Sequence, residues 1–259
     1  MRKIKLVICT FIAFFAGMAP CYSQSDDAVI ENAINTINAL MPMPMGSLGE
    51  LTSAYLERRN VVLTAEVNED FLNIEKLQEN PEIMHESMVS FMKNTSNPNV
   101  ILLLSVVKES DKGLKYVYIG KKSKKSVSVV LTNREIREAL DAPAGNKNVM
   151  DVIESQIRLT NAQLPMYTGG GMTIMKLALE GKYLAYTYEC DENIVSIDRL
   201  NDNRVELKRL LINELTTSTD SMIKMLVEMC KEADLGIIYR YIGDTSGKDC
   251  TVYLNNSEL

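Results

Sequence analysis

The feature that most constrains the fold is an internal repeat. "GLKYVYIG", starting at Gly113, returns as "GIIYRYIG", starting at Gly236, 123 residues later. Setting Asn38 against Asn161 and walking forward needs no gap. "NALMPM" meets "NAQLPM", "KESDKG" meets "KEADLG", and Ile136 meets Leu259. Backward, "VIE" at Val29 meets "VIE" at Val152, and 32 of the 108 aligned positions are identical. This period is far longer than the roughly 20–50 residues of a solenoid repeat, so each copy has to bury a core of its own. The spacing predicts two like-folded domains, 25–137 and 147–259. Between them "EALDAPAGNKN" reads as a linker, with Pro143 and Gly145 as its breakers.

A different kind of segment precedes the first copy. Arg2, Lys3 and Lys5 lead into the apolar run "LVICTFIAFFAGMA" and then "PCYSQ". This is the pattern of an export signal over residues 1–23, cut between Ser23 and Gln24, with small Cys21 and Ser23 before the cut. A retained anchor is one alternative, although the run is short for a span. Lipid attachment at Cys21 is another, although Pro20 stands where such a signal wants a small residue. The expected location is periplasmic or secreted, with no stable membrane insertion after cleavage. Removing the three basic residues of the leader leaves 25 basic against 34 acidic ones, a net of −9. An acidic chain without a concentrated basic groove is a poor partner for nucleic acid or for anionic membrane surfaces.

Each copy opens with a helix, shown by Val29, Ile30, Ile34 and Ile37 and by Val152, Ile153 and Ile157. Pro42 and Pro165 follow it. A hairpin comes next, turning at Gly181 in the second copy; Leu184, Tyr186, Tyr188 and Cys190 alternate with Ala185, Thr187 and Glu189. In the first copy Val61, Leu63, Ala65 and Val67 share the equivalent face. Two helices follow, starting at Asn80-Pro81 and Asn97-Pro98 in the first copy. The apolar stripes are Met84, Met88, Phe91 and Met92, against Leu207, Leu211 and Leu215. Gly113 and Gly236 are expected to stop the second of them in a left-handed turn, and a second hairpin closes the unit. The order helix-ββ-αα-ββ predicts α+β: a four-stranded antiparallel sheet with helices on one face.

Tyr116 and Tyr118, like Tyr239 and Tyr241, fall on one strand face and read as core rings under the helices. The opposite face carries Val117, Ile119 and Val130, with Ile238, Arg240, Ile242 and Tyr253, beside Thr64, Glu66, Thr187 and Glu189. That face is too apolar to be fully solvated: either the two sheets cover each other or a partner covers them. The candidate binding residues are Val117, Ile119, Ile238, Arg240, Ile242 and Tyr253.

Other stretches point to ordinary structure. "GDTSGKD" from Gly243 lacks the P-loop spacing, ends on Asp249 and lies between strands, so it reads as a hairpin turn. The lysines of "KKSKK" form a basic tip. "TGGGM" from Thr168 reads as a lead-in loop before a strand. Cys190, Cys230 and Cys250 align with Val67, Val107 and Val127, which marks them as small core residues; one bridge, Cys190–Cys250 or Cys230–Cys250, stays open. His85 aligns with Lys208 and reads as a solvated helix position. Glu57 and Glu180, and Glu66 and Glu189, recur in both copies, as structural residues do. No metal site, cofactor or catalytic residue is read.

The pattern carried by Asn161, Leu164, Pro165, Tyr186, Tyr188, Gly236, Tyr239 and Tyr241 resembles that of small exported bacterial α+β domain proteins of unknown function, here in tandem. The first copy departs from it at Met41, Leu63 and Ala65. The resemblance implies an envelope or secreted location and no known activity. Together these readings describe an exported, non-catalytic binding or protein-interaction module with a protein partner in the cell envelope. The alternatives are an envelope structural or assembly factor, or a carboxylate-dependent hydrolase.

Overall fold

The computed structural model describes residues 26–94, 98–141 and 148–259. The leader, Cys21, Asn97, Pro143 and Gly145, and the side chain of Phe91, lie outside the described residues. By compactness the chain divides into two units between Ser155 and Gln156, inside the helix Val149–Asn161, which is described with the second unit.

The first unit begins with α1 (Asp26–Asn38), whose Ile30, Ala33, Ile34 and Ile37 form one buried stripe. The short β1 (Met43–Pro44) pairs with β2 (Gly49–Glu57), which forms a hairpin with β3 (Asn60–Val67). Three helices follow: α2 (Ile74–Glu79), α3 (Pro81–Asn94) and α4 (Pro98–Glu109). Then β4 (Gly113–Gly120) and β5 (Ser126–Leu131) form the second hairpin, and α5 (Asn133–Leu140) packs on α3 and α4. Met84, Met88 and Met92 bury the stripe of α3.

The second unit repeats the plan: α6 (Val149–Asn161), β6 (Met166–Gly169), β7 (Met172–Glu180), β8 (Tyr183–Cys190), α7 (Ile197–Asp202), α8 (Arg204–Thr217), α9 (Ser221–Glu232), β9 (Gly236–Gly243) and β10 (Asp249–Leu254). The counterparts of α1 through α4 and of β2 through β5 start and stop 123 residues on, as the repeat requires. A 3-10 turn at Asn256–Glu258 stands where α5 begins. The protein is α+β, and the repeated arrangement fits it.

Two details of the expected sheet need correction. Each sheet has five strands, in the orders β1-β2-β3-β4-β5 and β10-β9-β8-β7-β6. Each is also mixed, because β3 and β4, like β8 and β9, run parallel. The extra strands β1 and β6 are too short to show alternation, and β1 contains Pro44, which is tolerated only at an edge. The parallel pair follows from the helices: α2 to α4 carry the chain back to the end where β3 began, so Gly113 enters opposite Asn60. The six-residue α2 and α7 escaped the periodicity for the same reason of length. Helix α5 occupies Glu138–Leu140, residues assigned to the linker; Thr132 and Glu135 give it a complete capping box.

The motif asparagine joins helix to sheet. Asn38 Nδ2 donates to the Ala54 carbonyl at 2.7 Å, and the Ala54 amide donates to Asn38 Oδ1 at 2.8 Å. Asn161 makes the same pair with Leu177 at 2.8 and 2.9 Å. Both pairs sit just past a register shift in β2 and β7, where the ladder is locally disrupted. The side-chain amide thus acts as a strand partner for one residue.

Candidate functional site

The helices cover one face of each sheet: α1 packs on β2, α4 on β4 and α3 on β5, and in the second unit α9 packs on β9 and α8 on β10. The tyrosines fill that covered face. Tyr118, Tyr186, Tyr188, Tyr239 and Tyr241 are all at 1% exposure or less, which rules them out as an open stacking platform. In the second unit four of them form a stacked group, with Tyr186–Tyr239 at 5.7 Å and Tyr188–Tyr241 at 5.3 Å between ring centres. Burial pushes all four phenols well above their ordinary range. The hydroxyls of Tyr186, Tyr188 and Tyr241 are buried with no hydrogen-bond partner among the described residues.

The bracketing glycines of the octet have a reason other than a helix stop. The left-handed residues after α4 and α9 are Asp111 and Asp234, with φ of 54° and 53°. Gly113 and Gly236 open the strands themselves, at close approach. A Cβ on Gly236 would lie 2.4 Å from the Leu254 carbonyl oxygen, and one on Gly113 2.8 Å from that of Leu131. Gly120 and Gly243 make room for a carboxylate, whose carbon would stand 2.5 Å from an added Cβ in both units. In the first unit Glu69 accepts the backbone amides of Lys122 and Ser123, at 2.7 and 2.9 Å. In the second, Glu192 accepts the Thr245 and Ser246 amides and the Ser246 hydroxyl. The turn that looks like a phosphate loop is therefore an anion nest already filled by the chain's own glutamate. These donors hold both carboxylates below the ordinary range, Ser123 contributing most at Glu69 and Ser246 at Glu192. The basic tip is also neutralised: Lys121, Lys122, Lys124 and Lys125 pair with Glu50, Asp70, Glu66 and Glu75.

The six candidate binding residues fall on the face turned away from the helices. Register aligns Val117 with Thr64 and Ser128, and Ile119 with Glu66 and Ser126. It aligns Ile238 with Ala185 and Tyr253, Arg240 with Thr187 and Thr251, and Ile242 with Glu189 and Asp249. They are not equally accessible. Val117, Ile119, Arg240 and Ile242 are half-buried and Tyr253 is 50% exposed, whereas Ile238 is only 3% exposed. Tyr253, the strand partner of Ile238, meets Tyr183 edge to face at 5.6 Å. Arg240 makes two bonds to Glu180, at 3.0 and 2.8 Å, across β8. The first unit keeps the carboxylate and moves the cation by two residues: Glu57 pairs with Lys115 at 2.8 Å. Lys115 and Arg240 hold Glu57 and Glu180 below the ordinary range. A general acid at neutral pH needs the opposite shift.

Cys190, Cys230 and Cys250 are free and fully buried, as are Val67 and Val107, with Val127 at 8%. Cys190 and Cys250 lie on β8 and β10, on either side of β9. Two strand spacings separate them by about 10 Å, beyond the reach of a disulfide. Burial lifts the Cys190 thiol to about 11 and the Cys230 thiol to about 12, which leaves them protonated and inert. His85 Nε2 lies 2.9 Å from Glu135, and at the matching positions Lys208 lies 2.8 Å from Glu258. Both glutamates also cap their own segment, so the pair ties α3 or α8 to the end of its unit. Asn133 and Asn256 donate to the carbonyls that end α4 and α9. "TGGGM" is a correction: it is the hairpin turn between β6 and β7, not a lead-in loop. Among the described residues no cluster of His, Cys, Asp and Glu is arranged to hold a metal ion, and no helix is long and apolar enough to cross a membrane.

No protein-family model matches the chain, and no curated protein matches it in sequence. Among solved structures the chain is similar to a protein of Pseudomonas aeruginosa, presumed secreted, at a TM-score of 0.35 and 11% identity, over 45% of this chain and 97% of that one.

Proposed function

We propose that the protein is an exported, non-catalytic interaction module that meets a protein partner of the cell envelope through its open sheet faces. The contrast between the two faces of each sheet carries this reading. One is filled with tyrosine, leucine and valine under helices. The other leaves Val117, Ile119 and Ile242 half-buried and Tyr55, Val130 and Tyr253 at 42–50% exposure. Aliphatic side chains at such exposure on a broad surface are what a partner can cover. Two of the charged pairs beside them, Arg240–Glu180 and Lys115–Glu57, are already made, so covering those groups strands no charge. Glu57, Glu180 and Glu66 are ion-pair partners and Glu69 and Glu192 are turn clamps, which supports a binding role over a hydrolytic one.

The test is capture from envelope extract with the processed chain and with Val117→Asp and Ile242→Asp, each checked for intact fold by circular dichroism. A protein retained by the parent and lost from either variant supports the reading. Identical capture by all three overturns it.

A further inference from the structure

We infer that the end of the second unit that carries the three glycines docks a basic, apolar polypeptide segment; this rests on the sheet-face reading and narrows it to one end of one unit. The two units differ there. In the first, Leu48 and Phe71 are 0% and 5% exposed and close the end of the core. The matching positions are Gly171 and Ile194, and Ile194 is 63% exposed. Pro44 of the edge strand gives way to Tyr167, also 63% exposed. Gly169, Gly170 and Gly171 have φ of 91°, 65° and 80°, and a Cβ on Gly171 would sit 2.9 Å from the Ile194 Cβ. No side chain on the turn itself can cover Ile194 as Leu48 fills the first unit. Tyr167 heads a row across the open face, through Thr173, Glu189, Ile242 and Asp249.

Charge selects the occupant. In the first unit the row, its turns and the start of α2 hold five acids, Glu50, Glu66, Glu69, Asp70 and Glu75, against four lysines, and all four lysines are paired. In the second, Asp244, Thr245 and Gly247 replace three of those lysines, and the same positions hold six acids, Glu189, Asp191, Glu192, Asp198, Asp244 and Asp249, against Lys248 alone. Lys248 is itself held by Asp198. The adjoining row carries Lys176 and Arg240, the latter bound to Glu180. An aromatic and aliphatic patch inside this acidic rim fits a segment that alternates aliphatic residues with Lys or Arg. It repels an anionic lipid surface or a nucleic acid.

The test uses the processed full chain and two fluorescein-labelled peptides, one alternating lysine and leucine, the other glutamate and leucine, read by anisotropy. The lysine peptide should bind and the glutamate peptide should not. Tyr167→Ser with Ile194→Ser, and Glu189→Lys with Asp249→Lys, should each weaken binding by about tenfold or more. Lys124→Glu in the first unit should leave it unchanged. All of these side chains are at the surface, and circular dichroism checks the fold. Equal affinity for both peptides, insensitivity to both double variants, or binding of neither peptide overturns the inference. So does a dimer in sedimentation that Ile194→Ser dissolves, since the occupant would then be a second copy. Lysine-peptide binding that survives both doubles but is lost in Val117→Asp sinks this inference and leaves the sheet-face reading standing. Failure of the capture experiment sinks that reading separately.

Discussion

At the helix-covered face of its sheet the first unit places Leu63, Ala65, Tyr116 and Tyr118, and the second places Tyr186, Tyr188, Tyr239 and Tyr241. Valines at three further core positions become cysteines. The polar locks do not drift in this way. Asn38 and Asn161, Glu69 and Glu192, Asn133 and Asn256, and Glu135 and Glu258 are identical in type and bond to matching groups. An apolar interior can exchange residues if the total volume is kept. A side chain that completes a backbone hydrogen bond has to keep its atoms where they are, because the group left behind is costly. The shared polar locks are therefore scaffold, and what differs is one place where function can have been added.

The largest test of that likeness is at the strand starts. Gly236→Ala drives a Cβ against the Leu254 carbonyl and the Tyr183 ring, and Gly113→Ala against the Asn60 side chain and the Leu131 carbonyl. Each should cost about 3 kcal/mol in urea unfolding. Gly236→Ala should cost the more, since Tyr183 is braced by Asn255 and Tyr253 while the Asn60 amide can swing. Equal losses would show that the extra aromatic packing of the second unit adds no stiffness.

The asparagine locks come next. Asn38→Ala and Asn161→Ala each remove two bonds to the strand beside the register shift. A loss of about 1–2 kcal/mol is expected in each case. The two losses should be alike and should add in the double variant, because the sites share no partner. Strongly unequal losses would break the equivalence of the units.

The tyrosine core should respond in the opposite direction. Tyr188→Phe and Tyr241→Phe remove hydroxyls that are buried without a partner among the described residues. Each should raise stability by about 1 kcal/mol, read as a higher urea midpoint with an unchanged slope. A loss instead would mean that ordered water satisfies those hydroxyls.

Much of this could be read in the sequence, for identifiable reasons. Alternation over eight residues placed Tyr186, Tyr188 and Cys190 on the buried face, and comparison of the copies identified the cysteines as valine substitutes. The same alternation misplaces Ile238 as accessible, because it records which face a residue takes and not how much of it the surrounding atoms hide. Val62 and Ala185 are also hidden, at 0% and 1% exposure on the open side. The parallel central pair was illegible, since it depends on where three helices return the chain. The glutamate clamps did leave a signal: Glu69 and Glu192 are identical polar residues in a loop, where nothing local requires a carboxylate. The exposed end of the second unit left one too, in the loss of Leu48 and Phe71, but a gap in a core reads as noise until the backbone shows that both units keep the same plan there.

The smallest effect is the most diagnostic of the difference between the units, and it concerns acid. Glu69 and Glu192 are held below their ordinary value of 4.5 by the turn amides and serines. A carboxylate whose folded value is depressed adds stability that is complete above its unfolded value and fades as the pH falls through the folded one. Both clamps should therefore loosen below about pH 4.5, and neither should change between pH 6 and 8. Their neighbours differ in sign: Lys122 lowers Glu69 further, while Asp244 works against Glu192. On acidification the second unit's turn should open first. Salt should weaken the Glu69 clamp and strengthen the Glu192 clamp, because it screens an attraction in one and a repulsion in the other. Amide exchange at Ser123 and Ser246 across an acid titration, at low and high salt, reads both. Replacing Asp244 with Lys should give the second turn the first one's acid response, and an unaltered difference between the turns would mean that the flanking charge is not its cause.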